Sequence, residues 1–160
     1  MDAAYRVFYQ SPIGIVEIGG TESAVTGLVF RDTRPRETSG TPAVLAEALR
    51  QIEEYFLGRR TEFSLPLQTA GTPFQEDVWQ ALRTIGYGKT ASYRDIARTI
   101  GRPAAVRAVG AANGANPISL IIPCHRIIGA DGRLTGYGGG LWRKEWLLVH
   151  EQSGRGPLLG

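Results

Sequence analysis

Residues Ser92 to Ala112, SYRDIARTIGRPAAVRAVGAA, read as two short helices joined by a tight turn. Ser92 followed three positions later by Asp95 is an N-terminal capping pattern. Ile96, Ala97 and Ile100 give the first helix its apolar face, and Gly101 ends it. Pro103 opens the second helix, which carries Ala104, Ala105, Ala108, Ala111 and Ala112. Two helices around Gly101-Arg102-Pro103 make a helix-turn-helix. A base-reading helix usually carries Asn, Gln and Arg. This one is small-sided except for Arg107, so it is expected to lie close to duplex DNA in the minor groove, with little sequence preference. The alternative is an Ala-rich helix packed inside the protein, and Arg107 argues against it because a guanidinium is costly in a dry core.

Upstream, Thr72-Pro73-Phe74-Gln75 is a capping box with Pro at the first helical position. Phe74, Val78, Leu82 and Ile85 share one face until Gly86 and Gly88 break the helix. Downstream, Ile121-Ile122 reads as a buried strand that Pro123 stops by removing a ladder donor. Cys124-His125-Arg126 follows without a break. A Gly-rich loop, Gly136 to Gly140, precedes a last helix from about Trp142 to Glu151, with Trp146 and Leu147 packing it on the core. Residues from Gln152 onward read as a frayed tail.

Nearer the start, Tyr5–Tyr9, Ile13–Ile18 and Gly27–Phe30 read as strands around Ser11-Pro12 and Gly19-Gly20. Residues 31–41 are polar loop, and Arg31 to Arg36 within them is the stretch open to contact with neighbouring protein molecules on DNA. Thr41 offers an N-cap and Pro42 a first helical position. Leu45, Leu49, Ile52 and Phe56 form one face, and Gly58 stops the helix. Residues 59–71 read as a strand fragment and linker. The fold class is α+β: an N-terminal lobe over 1–71, a small antiparallel sheet with a helix on it, and a helical C-terminal domain over 72–160.

A chain of 160 residues with 42% hydrophobic residues suits a globular protein of one unit or two small lobes. No apolar run approaches the roughly 20 residues that span a bilayer. Met1 to Gln10 lacks a signal core, so a cytoplasmic location is expected and no membrane partner. The net charge of +3 is uneven. Residues 1–70 hold 7 Arg against 9 acidic residues, and residues 71–160 hold 11 basic against 6 acidic. A basic second half is the footprint of a nucleic-acid binder. The single Cys excludes an internal disulfide, and with only two His there is no metal-ligand cluster, so no metal is expected. A lone thiol beside ionisable donors is either a buried hydrophobe or a reactive nucleophile, and this segment alone leaves both open.

Seven ordered blocks resemble the C-terminal domain of the O6-alkylguanine-DNA alkyltransferases, the methylated-DNA–protein-cysteine methyltransferases. They are Phe74–Trp79, Ser92-Tyr93, Arg107–Gly110, Asn116-Pro117, Ile122–Arg126, Gly136–Gly139 and Glu145–Glu151. The N-terminal lobe is similar, more loosely, to the family's ribonuclease-H-like domain, and the C-terminal domain to its winged-helix, helix-turn-helix part.

The resemblance implies a DNA-repair methyltransferase that takes the alkyl group of O6-alkylguanine irreversibly, one equivalent per protein, with O4-alkylthymine an open question. Cys124 is the implied acceptor and His125 its base, through a water. Glu151 is the implied orienter of His125. Tyr93 is implied to donate to a ring nitrogen of the guanine, and a backbone N–H near Gly138 to face O6; the family often has Ser there. Tyr137 lines the implied pocket and Pro123 floors it. Asn116 ties the turn to the cysteine segment. Arg107 fills the gap when the nucleotide is flipped out, which chemistry on a base edge inside a duplex requires. Ser92, Ala108, Arg126 and Ile127 join these on the DNA- and substrate-facing side. No cofactor is implied. The implied partners are double-stranded DNA and the alkylated base, with the protein a monomer and cooperativity on DNA left open. A lesion sensor without transfer and a cysteine hydrolase are the competing readings. The first lacks an acceptor thiol, and nothing in the chain suggests an acyl-substrate cleft for the second.

Overall fold

The computed structural model describes residues 4–36, 38 and 40–154. The chain divides into two compact units, one running to Thr69 and the other from Ala70 to Gln152.

In the first unit, β1 (Tyr5–Ser11), β2 (Gly14–Gly20) and β3 (Val25–Arg31) form an antiparallel meander. The β1–β2 hairpin closes at Ser11 opposite Gly14. The Ser11 hydroxyl accepts from Ile13 N and donates to Gly14 O, so Ile13 lies in the turn rather than in the expected strand. Gly20 follows a register shift in β2, where a Cβ would stand 2.4 Å from Ala24 O. Alternation along β2, and the register shift between β2 and β3, bury Val16, Ile18, Val25 and Leu28 in a core with Leu45, Ala48 and Ile52 of helix α1 (Ala43–Phe56). Helix α1 starts one residue later than expected: Pro42 is the N-cap, with φ −58° and ψ 152°, and no side chain caps the helix. Its stop is as read. Gly58 sits at φ 76°, donating to Tyr55 O while Arg59 N donates to Glu54 O. Leu67 makes a parallel bridge to Val25.

The second unit holds α2 (Pro73–Leu82), β4 (Ala91–Ser92), α3 (Tyr93–Thr99), α4 (Val106–Gly114), β5 (Ile127–Ile128) and α5 (Leu141–Gly154). Both capping boxes form: Thr72 with Gln75 and Ser92 with Asp95. Helix α2 stops at Leu82, and Ile85 lies in the following turn. Helix α4 begins at Val106, not Pro103, because Pro103 and Ala104 are used in the turn. That turn closes with Gly101 at φ 75° and Arg102 N donating to Ala97 O. Trp79 Nε1 donates to Ala112 O and pins α2 to α4. Val78, Leu82, Ile96, Val109, Ile118, Ile127 and Leu147 fill this core. Helix α5 runs past the expected tail start at Gln152 to Gly154; residues 155–160 lie outside the described residues. No described helix is long and apolar enough to cross a membrane, and no described cluster of His, Cys, Asp and Glu is suited to a metal.

Candidate active site

Ile121-Ile122 is not a strand. Between Asn116 and Cys124 the chain makes two tight turns in succession. Ile121 N donates to Ser119 O across Leu120, a non-glycine at φ 72°. Cys124 N then donates to Ile122 O across Pro123, whose φ of −81° and ψ of 65° make an inverse γ-turn. Asn116 braces both, its Nδ2 donating to Ile122 O at 2.8 Å and its Oδ1 accepting from Ile118 N at 3.0 Å. A side chain here replaces the ladder partners a strand would have had. Cys124–Arg126 is a single 3₁₀ turn, so the opposite-facing geometry of a strand does not apply. Ile127 and Ile128 then pair in parallel with Ala91 and Ser92. This short two-stranded sheet, absent from the sequence reading, ties the cysteine segment to the N-terminus of α3 and to Tyr93.

His125 and Glu151 are both 0% exposed. His125 Nε2 lies 2.7 Å from Glu151 Oε2. Arg126 Nε donates to Oε1 at 2.8 Å, Nη2 to Oε2 at 3.0 Å, and Nη1 to Ile85 O at 2.6 Å. Gly88 N also donates to Oε1, at 3.4 Å. Burial alone would push the Glu151 carboxyl up, but hydrogen bonds from His125 and Arg126 outweigh it and hold it well below the usual range. An ionised Glu151 accepts, so Nε2 carries the histidine proton. Burial pushes His125 down, keeping the imidazole neutral. Its Nδ1 is buried and makes no hydrogen bond among the described residues, leaving a lone pair able to take a proton.

The Cys124 thiol is 5% exposed. Burial pushes its pKa up, while hydrogen bonds from Asn116 and Ser119 and the charge of Lys144 act the other way. The resting group is therefore a thiol that needs a base. Tyr137 is raised well above its usual range, by burial first and then by the charge of Cys124. Ser119 and Lys144 escaped the sequence reading, since neither carries a local signal: Lys144 looks like a solvated helix residue and is 0% exposed.

The remaining expected residues separate into groups. Tyr93 is half-buried, its hydroxyl sharing a hydrogen bond with Thr135 Oγ1. Ser92 caps α3. Arg107 and Ala108 are exposed at the start of α4. Gly138 is exposed, and a Cβ there would meet nothing within 4 Å. Two of the expected residues are buried. Glu151 and Ile85 draw the Arg126 guanidinium inward. Ile127 is fully buried in the β4–β5 pairing.

Residues 73–153 match the family described as 6-O-methylguanine DNA methyltransferase, DNA binding domain, and residues 4–69 its ribonuclease-like domain. A methylated-DNA–protein-cysteine methyltransferase of Mycolicibacterium paratuberculosis is 50% identical over 146 residues, 89% of this chain and 88% of that protein. One of Methanosarcina barkeri is 46% identical over 154 residues, 93% of this chain and 98% of that protein. The solved structure of Mycobacterium tuberculosis OGT in complex with DNA superposes with a TM-score of 0.85 at 49% identity, covering 94% of each chain.

Proposed function

The chain belongs to the methylated-DNA–protein-cysteine methyltransferase family, and we propose that it repairs O6-alkylguanine in duplex DNA by moving the alkyl group to Cys124. The observation that carries this reading is the direction of the His125 proton. Nε2–H is committed to an ionised Glu151, so Nδ1, without a hydrogen-bond partner among the described residues, is the basic atom left on the residue that follows the chain's one thiol in sequence.

In the reaction, the thiol proton passes through a bridging water to His125 Nδ1, and Glu151 stabilises the imidazolium that results. The thiolate attacks the alkyl carbon. The sulfur–carbon bond forms as the carbon–O6 bond breaks, and the electron pair leaves with the guanine. Tyr93 donates to a ring nitrogen of that base, and a backbone N–H near Gly138 faces O6. The product thioether is not reversed by proton transfer, so one protein serves one lesion. Asn116 holds the cysteine turn, while Pro123 and Tyr137 bound the base.

Binding rests on the exposed start of α4. Ala108 lets the helix approach the minor groove, and Arg107 takes the place of the extruded nucleotide. Ser92, at the capped start of α3, faces the same duplex. The reading takes the protein as a cytoplasmic monomer on DNA.

Intact mass after incubation with a duplex carrying one O6-methylguanine tests the proposal. The expected result is one added methylene on Cys124, saturating at one per protein. Tight lesion binding without a mass change would make the protein a sensor and remove the roles of His125 and Glu151.

A further inference from the structure

Helix α5 buries a second cation that the reaction just described does not use. Lys144 is wholly enclosed, and its Nζ donates to Thr135 O at 3.1 Å and reaches Thr135 Oγ1 at 3.4 Å. The same Thr135 hydroxyl bonds to the phenol of Tyr93. Three donors therefore stand in a row, ammonium to threonine hydroxyl to phenol, and the row ends at the group assigned to the departing base.

From this row we infer that Thr135, polarised by the buried Lys144, is a positioning residue that aims and strengthens the Tyr93 hydrogen bond to the leaving guanine; the inference rests on the alkyl-transfer reading above. The physical basis is the limited capacity of a hydroxyl, which has one proton to give. With Lys144 donating to its oxygen, Thr135 turns its own proton toward Tyr93 Oη. The phenol proton is then free to point at an incoming ring nitrogen. Hydrogen bonds in a chain polarise one another, so each upstream donor makes the next one stronger.

One further observation agrees. Arg143, one residue before Lys144, donates from Nη1 to Gly139 O at 3.0 Å. Consecutive basic residues of α5 thus hold the two ends of the segment 135–139 that carries Tyr137 and Gly138. Lys144 also bears on the acceptor, its charge favouring the Cys124 thiolate. One ammonium then serves both the attacking sulfur and the departing base.

The test is a double-mutant cycle on the single-turnover rate of methyl transfer from duplex O6-methylguanine. Thr135→Val keeps the shape and removes the hydroxyl. It should slow transfer roughly three- to tenfold, the worth of one neutral hydrogen bond. In a Tyr93→Phe background the same change should have no further effect, and Thr135→Ser should restore the rate. Alkylation of Cys124 by iodoacetamide, which expels no base, should run at the same rate in Thr135→Val as in the wild type, whereas Lys144→Gln should slow both reactions. Additive losses from Thr135→Val and Tyr93→Phe, or an equal loss in iodoacetamide alkylation, overturn the relay while leaving the transfer reading intact. Unchanged rates in Lys144→Gln overturn the part given to the ammonium. A wild-type protein that transfers nothing overturns the proposed function, and this inference with it.

Discussion

Arg126 grips Glu151 with two parallel hydrogen bonds, Nε to Oε1 at 2.8 Å and Nη2 to Oε2 at 3.0 Å, inside a region closed to solvent. The pair sits directly behind the histidine that the carboxylate orients. Planar two-point contact fixes the carboxylate's rotation as well as its charge.

Replacing Arg126 with Met leaves Glu151 buried with one cation fewer. Removing one partner of a buried pair costs about 3–5 kcal/mol. Urea denaturation should show a loss of that size for Arg126→Met. The double change Arg126→Met with Glu151→Gln should lose less than the single one. A double variant as unstable as the sum of its parts would mean that the two side chains do not act as a unit.

Stability should form a plateau near neutral pH. The folded pKa of His125 is lowered, so its contribution is complete above the unfolded value of about 6.5 and is lost as pH falls from there. Glu151 is also lowered, and its contribution fades below about 4.5, where the unfolded carboxyl begins to bind protons. Cys124 is raised, so its contribution is present below about 9.0 and is lost as pH climbs past that value. Denaturant midpoints across pH check all three signs. The alkaline fall should be smaller in Cys124→Ala.

Cys124→Ser should abolish transfer and keep DNA binding. Mass spectrometry and a gel-shift assay on the same lesion duplex read the two properties separately. Retained transfer would remove Cys124 from its role.

Arg107→Ala should weaken repair of duplex DNA more than reaction with the free alkylated base. Arg107 is exposed at the start of α4, whereas Cys124 and His125 are buried. Equal losses on both substrates would argue against insertion into the duplex.

Two glycines should respond differently. Gly138→Ser meets open space in an ordinary backbone conformation, so stability should change by less than about 0.5 kcal/mol. Gly101→Ala also meets open space but must hold φ 75°, which costs about 1–2 kcal/mol. Thermal melts of the two variants give the comparison.

What the sequence discloses depends on how local the cause is. The capping boxes at Thr72 and Ser92, and the stops at Gly58 and Gly101, are each satisfied within a few residues, so they can be read directly. The cysteine segment cannot. A short run of Ile and Leu looks the same in a buried strand and in a buried turn, and what decides is Asn116 taking the backbone bonds. The β4–β5 pair escapes notice because two residues a side carry no periodicity. The triad partners lie 26 positions apart, and only the resemblance connected them. The burial of Arg126 and Lys144 has no local signal, because basic residues are usually solvated, and the groups that hold Arg126, Glu151 and Ile85, arrive from elsewhere in the chain.

Glu151 stands near the end of the last helix, well after Cys124 in the order in which a ribosome makes the chain. A nascent polypeptide that has exposed the cysteine but not yet folded α5 lacks the carboxylate that aims the imidazole. Its sulfur is then no better a nucleophile than any other thiol. For a molecule that acts once, this order of assembly delays chemical competence until the body around the sulfur is finished, and protects each copy from being spent during its own synthesis.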